Sequence, residues 1–308
     1  MPAPPRRCRI LAVLACALAA GCGGVSETPD LIWGKHGVQP GDIVTPRAIA
    51  IDAQDRVYLV DYTARLQVFD ADGKYLGPTW TCPDFRNGRP SGLSIDKDGN
   101  LLVSDSHYNC LRIYSHDGKL LKTIGGGHGT EPGQLSYVSD AVQDADGFYY
   151  VAEFGDNQRI SKFDSAGKFV MCWGSPGSEP GQFARIRALA LGPDNLLYAA
   201  DACNHRIQVF TKDGKLVRSW GTQGSGPGEM SYPYDLAFSP GKNPCLYIIE
   251  HGNCRVQKFT PEGVSLGIWG GPGRQPGKLA GPWALAVDSK GRVYVVDSQN
   301  DRIQRIQF

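Results

Sequence analysis

Six times along the chain a short apolar run closes on an acid. The runs are Val57-Tyr58-Leu59-Val60-Asp61, Leu101-Leu102-Val103-Ser104-Asp105, Tyr149-Tyr150-Val151-Ala152-Glu153, Leu197-Tyr198-Ala199-Ala200-Asp201, Leu246-Tyr247-Ile248-Ile249-Glu250 and Val293-Tyr294-Val295-Val296-Asp297. Successive acids stand 44, 48, 48, 49 and 47 residues apart. A period of this length belongs to the four-stranded blades of a β-propeller. Each period holds four strand-sized pieces, clearest in residues 235–238 (strand a), 246–250 (b), 255–259 (c) and 264–269 (d). Gly-containing turns join c to d, as in Asp70-Ala71-Asp72-Gly73, Lys212-Asp213-Gly214 and Thr260-Pro261-Glu262-Gly263.

Strand d ends in Trp-Gly at Trp173-Gly174, Trp220-Gly221 and Trp269-Gly270, with Trp80 and Ile124-Gly125 at the equivalent places. The sixth example, Trp33-Gly34, lies at the start of the repeats, and the last period runs out at strand c, residues 302–308. Leu31-Ile32-Trp33 is therefore expected to complete the last blade, closing the ring and removing exposed sheet edges. The expected fold is all-β, one six-bladed propeller over residues 31–308, with five of six tryptophans spent on blade packing.

Loops such as Glu179-Pro180-Gly181-Gln182-Phe183 and Glu131-Pro132-Gly133-Gln134 recur before strand a. So does Asp-x-x-Asn-x-Arg-Ile-Gln, complete at 201–208 and 297–304. In these features residues 31–308 resemble the NHL-repeat family, which forms six-bladed propellers. Blade 2 is the weakest match, with Cys110 in place of the arginine.

The first residues read differently. Arg6, Arg7 and Arg9 precede an apolar run at 10–20, too short for a typical spanning helix. Leu18-Ala19-Ala20-Gly21-Cys22 resembles a bacterial lipobox, so 1–21 are expected to be a lipoprotein signal peptide, Cys22 the lipidated residue and 22–30 a flexible tether. This implies a bacterial cell-envelope protein, lipid-anchored and facing the periplasm or the cell exterior. Losing 1–21 removes three arginines from 32 basic and 31 acidic side chains, for a net charge near −2. No basic stripe remains, so a nucleic-acid partner is not expected. Six cysteines remain besides Cys22: Cys82, Cys110, Cys172, Cys203, Cys245 and Cys254. Their spacing fits neither a zinc site nor a disulfide framework, and several are expected to stay free.

The acid closing strand b and the arginine opening strand c share one loop. Asp61/Arg65, Glu153/Arg159, Asp201/Arg206, Glu250/Arg255 and Asp297/Arg302 are expected to be structural ion pairs. If exposed, each contributes about 0–1 kcal/mol.

The resemblance also brings in amidating lyases of NHL-like build, which hold zinc through histidines at the position that follows the proline opening strand a. Here that position carries Arg47, Ser91, Ser139, Arg187, Tyr234 and Trp283, none of them histidine. Zinc needs several convergent ligands, so no metal site is expected there. Arg47 and Arg187 fall on opposite blades. The next residue is small in four blades (Ala48, Gly92, Ala188, Ala284) but is Asp140 in blade 3 and Asp235 in blade 5. Arg47, Asp140, Arg187, Tyr234, Asp235 and Trp283 are thus the ligand-binding candidates, for a small anionic molecule or a protein at the loop-rich face. Channel-mouth ion pairs and packing are the other reading of these residues. The expected function is a binding or scaffold module, with a lyase- or lactonase-type propeller enzyme as the alternative. No cofactor is expected, although Asp140 and Asp235 leave room for calcium.

Overall fold

A computed structural model describes residues 28–82, 86 and 88–308. Cys22, the signal segment and most of the tether lie outside the described residues. Those described form six four-stranded antiparallel sheets arranged as blades, with strands in the order a-b-c-d from the axis outward. Strand b is buried along its whole length in every blade, whereas strand d alternates between half-buried and exposed, as in Phe169–Trp173. The apolar runs that mark the period are thus the strands covered on both faces by neighbouring blades.

The last blade is completed by Leu31–Trp33, with Leu31 opposite Arg305 and Trp33 opposite Ile303. Arg305 fixes this junction further by pairing with Asp30 at 2.8 Å and Asp72 at 2.9 Å. Trp33 packs into the seam between blades 6 and 1, against Phe69 at 4.6 Å between ring centroids. The c–d turn of the next blade supplies the floor beneath the indoles of Trp33, Trp80, Trp173 and Trp220. A Cβ on Gly73, which stands at φ 79°, would meet the Trp33 ring at 2.3 Å, and one on Gly214 would meet Trp173 at 2.7 Å. The turn glycine therefore serves both the backbone turn and the tryptophan of the preceding blade.

Three strands differ from the sequence expectation, among them strand c of blade 6, which ends at Ile306. Strand a of blade 5 is Pro233–Phe238 and its strand d is Ser265–Gly270. The register of strand a shifts just where it opens in blades 3, 4 and 5, between Val138 and Asp140, Ile186 and Leu189, and Pro233 and Asp235. Such bulges re-aim side chains, and these fall on the candidate ring positions. The six described cysteines are free. Burial pushes the Cys82 thiol up to about 12 and the Cys110 thiol up to about 11, so neither is a ready thiolate.

Candidate functional site at the loop-face mouth of the channel

The b–c loop pairs are built as clamps. Arg65 meets Asp61 at 2.6 Å, Arg159 meets Glu153 at 3.0 Å and Arg206 meets Asp201 at 2.8 Å. Arg255 meets Glu250 at 2.5 Å and Arg302 meets Asp297 at 2.6 Å. They are not the exposed pairs that the sequence allowed. Each carboxylate is fully or almost fully buried, and its arginine is largely covered. The reason is the loop that precedes strand a, which folds over the pair. Ala184 N–H donates to Asp201 at 2.8 Å, while Arg206 donates to the carbonyls of Ser178 at 2.7 Å and Gln182 at 2.8 Å. In blade 2 the arginine comes from two positions later: Arg112 reaches Asp105 at 2.9 Å, and Cys110 takes no part.

A second recurring contact locks blades 1, 3, 4 and 5 to the blade before each. Thr45, Tyr137, Arg185 and Tyr232 stand at φ 44°, 45°, 64° and 51°. Their N–H groups donate to Asp301 at 2.6 Å, Asn109 at 2.9 Å, Gln158 at 2.6 Å and His205 Nδ1 at 3.1 Å, all on the preceding blade's b–c loop. His205 is thereby occupied as a hydrogen-bond acceptor. His36 lies against Asp301 at 2.9 Å, and His251 Nδ1 donates to Pro282 O at 3.0 Å. Among the described residues no three His, Cys, Asp or Glu side chains converge on a metal position.

Within this frame the six positions that open strand a divide. Ser91 and Ser139 are taken up by hydrogen bonds in their own sheets and between blades 2 and 3: Ser91 Oγ to Ser106 at 2.6 Å, Ser139 Oγ to Ala152 O at 3.3 Å. The other four meet over the axis. The Arg47 guanidinium lies 4.3 Å from the Trp283 ring centroid, and that of Arg187 lies 5.0 Å from Trp283 and 4.6 Å from Tyr234. Tyr234 stacks on His251 at 4.4 Å and 13°. Two arginines from opposite blades thus share one indole, a cation–π arrangement that offsets part of their burial. Burial, then Arg187, then Arg89 bring Arg47 down to about 10; burial is also the first cause lowering Arg187.

Asp140 and Asp235 lie one layer deeper and do not pair with these arginines. Asp140 accepts from Leu189 N–H at 2.9 Å, and Asp235 from Leu285 N–H at 3.0 Å and Leu236 N–H at 2.8 Å. The channel-mouth ion pairs allowed by the sequence are absent among the described residues, because backbone amides of the neighbouring blades claim the carboxylates first. Gly92 makes room for one of them: a Cβ there would stand 2.6 Å from Asp140 Oδ1. Burial, followed by the charge of Asp235, holds the Asp140 carboxyl well above the usual range, and burial raises Asp235 to about 7.

Sequence reasoning missed an outer ring two residues before the inner one. Arg89 stacks on Tyr62 at 3.7 Å, Arg185 lies 5.5 Å from the Phe154 ring, and Tyr137 packs on Phe154 at 5.3 Å. The signal is in the sequence: two places before the inner positions the six blades carry Thr45, Arg89, Tyr137, Arg185, Tyr232 and Gly281. Among the described residues Arg47, Arg89, Arg185 and Arg187 form no ion pair. The space directly beneath them is only about 20 Å³, roughly one water.

Comparison with known proteins agrees with the repeat. The NHL repeat family matches residues 87–114, 183–210 and 279–306. The first of these is blade 2, the blade whose motif departs most; its strands a to c keep the pattern although its arginine is displaced. Peptidyl-glycine alpha-amidating monooxygenase of Mus musculus is 30% identical over 188 residues, 57% of this chain and 18% of its own length. NHL repeat-containing protein 3 of Mus musculus is 35% identical over 77 residues, 24% of this chain and 22% of its own. The chain thus spans about a fifth of the curated relatives it matches. A streptogramin B lyase structure superposes with a TM-score of 0.65 at 15% identity, covering 90% of this chain and 97% of that one. Virginiamycin B lyase from Staphylococcus aureus with quinupristin gives 0.61 at 18%, covering 89% and 84%. At such identities the likeness is one of fold. The chain is a six-bladed β-propeller whose blades 2, 4 and 6 match the NHL repeat.

Proposed function

We propose that this propeller is a binding module whose loop face takes up a molecule carrying an acidic group beside an aromatic or apolar one. The observation that carries the reading is the set of four arginines that form no ion pair among the described residues, in a propeller, residues 31–308, whose 29 basic and 29 acidic side chains balance. Guanidinium groups backed by aromatic rings keep their edges for bidentate bonds to carboxylate or phosphate. The narrow space below Trp283 means that the ligand lies on the face rather than inside the channel. Matched relatives are named for action on peptidyl-glycine, which ends in a carboxylate, and a peptide C-terminus has the required chemistry. In the same reading Cys22 carries lipid and holds the module on a bacterial envelope membrane, where a protein tail or a small anion is the partner. Calorimetric titration of the purified chain with N-acetyl-phenylalanyl-glycine and with its C-terminal amide tests the recognition. The acid binds at least about tenfold tighter than the amide on this account, the scale of 1.4 kcal/mol; equal affinities contradict it.

A second reading, a propeller enzyme of lyase or lactonase type, draws support from matched relatives that are named as enzymes. In that reading Asp140 and Asp235 are two of the oxygen ligands of a calcium ion, the rest coming from water and substrate. Retained calcium in the purified protein, lost in Asp140→Asn, supports it.

A further inference from the structure

Below the arginine and tryptophan layer the channel widens again. A cavity of about 260 Å³ is walled by strand a of the blades, with Ile49, Leu93, Leu189 and Phe238 among its aliphatic and aromatic sides. Asp140 and Asp235 border both this cavity and the small space under Trp283, so the carboxyls stand at its closed end. The opposite end is open. Ile51, Phe238 and Val287 are shared with a shallow depression lined by the a–b turns of blades 1, 5 and 6. The channel is therefore stopped on the loop face and reached from the a–b face.

The charge at the closed end is incomplete. Two carboxyls face one nearby cation, Arg187, and that guanidinium makes no ion pair with either while it lies on Tyr234 and Trp283. Each carboxylate is oriented by blade-to-blade amides and keeps further lone pairs, since a carboxylate accepts about four hydrogen bonds. With both ionised, the pair and Arg187 leave one negative charge in an apolar enclosure, which is costly unless a partner or a proton supplies the balance. Calcium takes six to eight oxygens, and besides the two carboxyls the only lining side-chain oxygen among the described residues is Ser94 Oγ, which donates to Ala141 O at 2.5 Å, so a calcium ion here would draw most of its ligands from water.

We infer that the a–b end of the channel is a second ligand site, for a small amphipathic monocation of the primary alkylammonium class. Its ammonium is held between Asp140 and Asp235, and its carbon body lies along Ile49, Leu93, Leu189 and Phe238. The size of the cavity, slightly below that of drug-sized sites, sets a limit of a few carbons on the chain. An ammonium with three donors completes the carboxylates, and the hydrocarbon displaces water from apolar wall at about 0.8 kcal/mol per methylene. This site rests on neither reading of the loop face.

The test uses three six-carbon probes of one shape: n-hexylammonium, 1-hexanol and hexanoate, titrated calorimetrically into the purified chain. The ammonium binds at least about tenfold tighter than the alcohol, and hexanoate does not bind. Asp235→Asn lowers hexylammonium affinity by about tenfold or more. Equal affinity for ammonium and alcohol, an unchanged affinity in a folded Asp235→Asn, or no binding at millimolar concentration overturns the assignment. Should Asp235→Asn not fold, the three probes on the unaltered protein decide the matter.

Discussion

The two ends of one channel are made from the same six strands yet carry opposite chemistry. The loop-face end gathers Arg47, Arg187, Tyr234 and Trp283 over the axis, with Arg89 and Arg185 outside them. The a–b end is aliphatic, with Asp140 and Asp235 at its floor. Residues in mid-strand are held to small or aliphatic side chains because six strands converge there. Residues where strand a opens escape that constraint, and in three blades a bulge turns them further. Repeat propellers thus acquire chemistry where the repeat packs least, and the two carboxyls are the exception that intrudes on the packed layer.

The largest expected effect removes the frame on which both ends depend. A chain starting at residue 35 leaves strand c of blade 6 with an open edge and an empty Trp33 seat in the seam with blade 1. Loss of the half-buried Trp33 together with the pairing of its strand costs about 3 kcal/mol or more, and the melting temperature of the truncated chain falls by about 10 °C. Differential scanning calorimetry checks this, and an unchanged transition would mean that the ring does not depend on the N-terminal strand.

Trp283→Ala acts on one end only. It removes the ring that two guanidinium groups share, so Arg47 and Arg187 repel across the axis with nothing between them. Affinity for N-acetyl-phenylalanyl-glycine drops by about tenfold, the measure of 1.4 kcal/mol, while hexylammonium affinity changes by less than about threefold. A parallel loss at both ends would show that the layers are not independent.

The smallest effect is a pH dependence. Asp235 in the folded chain keeps its proton up to about 7, whereas an aspartate in the unfolded chain loses it near about 4. The folded state binds more protons across that window, so this group's contribution to stability is fully present below about pH 4 and is lost as pH rises through about 7. Asp235→Asn removes the dependence. Its melting temperature relative to the unaltered chain therefore climbs by a few degrees between pH 5 and pH 8, and a constant difference would place the carboxyl in the ordinary range.

Much of the fold was legible in the sequence because the repeat states it six times. The period of the acid-closed runs, the Trp-Gly ends of strand d and the surplus Leu31-Ile32-Trp33 led to the six blades and their closure. The site was legible in part. Comparing blades at the position after the proline picked out Arg47, Arg187, Tyr234 and Trp283, which the fold gathers together. It did not disclose that Asp140 and Asp235 bond to backbone amides of the next blade, since that depends on the bulge, not on residue type. The burial of the Asp/Arg clamps was likewise hidden, because the cover is a loop from the start of the same repeat. Arg89 and Arg185 stand two places before the inner ring, at repeat positions that also carry Thr, Tyr and Gly, so no shared residue type marks them in the sequence.

The account stands on the opposite charge preference of the two channel ends, and one crossed titration addresses it directly. N-acetyl-phenylalanyl-glycine and n-hexylammonium are each titrated into two double variants, Arg47→Ala with Arg187→Ala and Asp140→Asn with Asp235→Asn, with folding monitored by circular dichroism. The arginine variant loses about tenfold or more for the dipeptide and keeps hexylammonium within about threefold, while the aspartate variant does the reverse. If either variant weakens both probes equally, or neither probe at all, the division of the channel into an anion-binding mouth and a cation-binding interior is wrong.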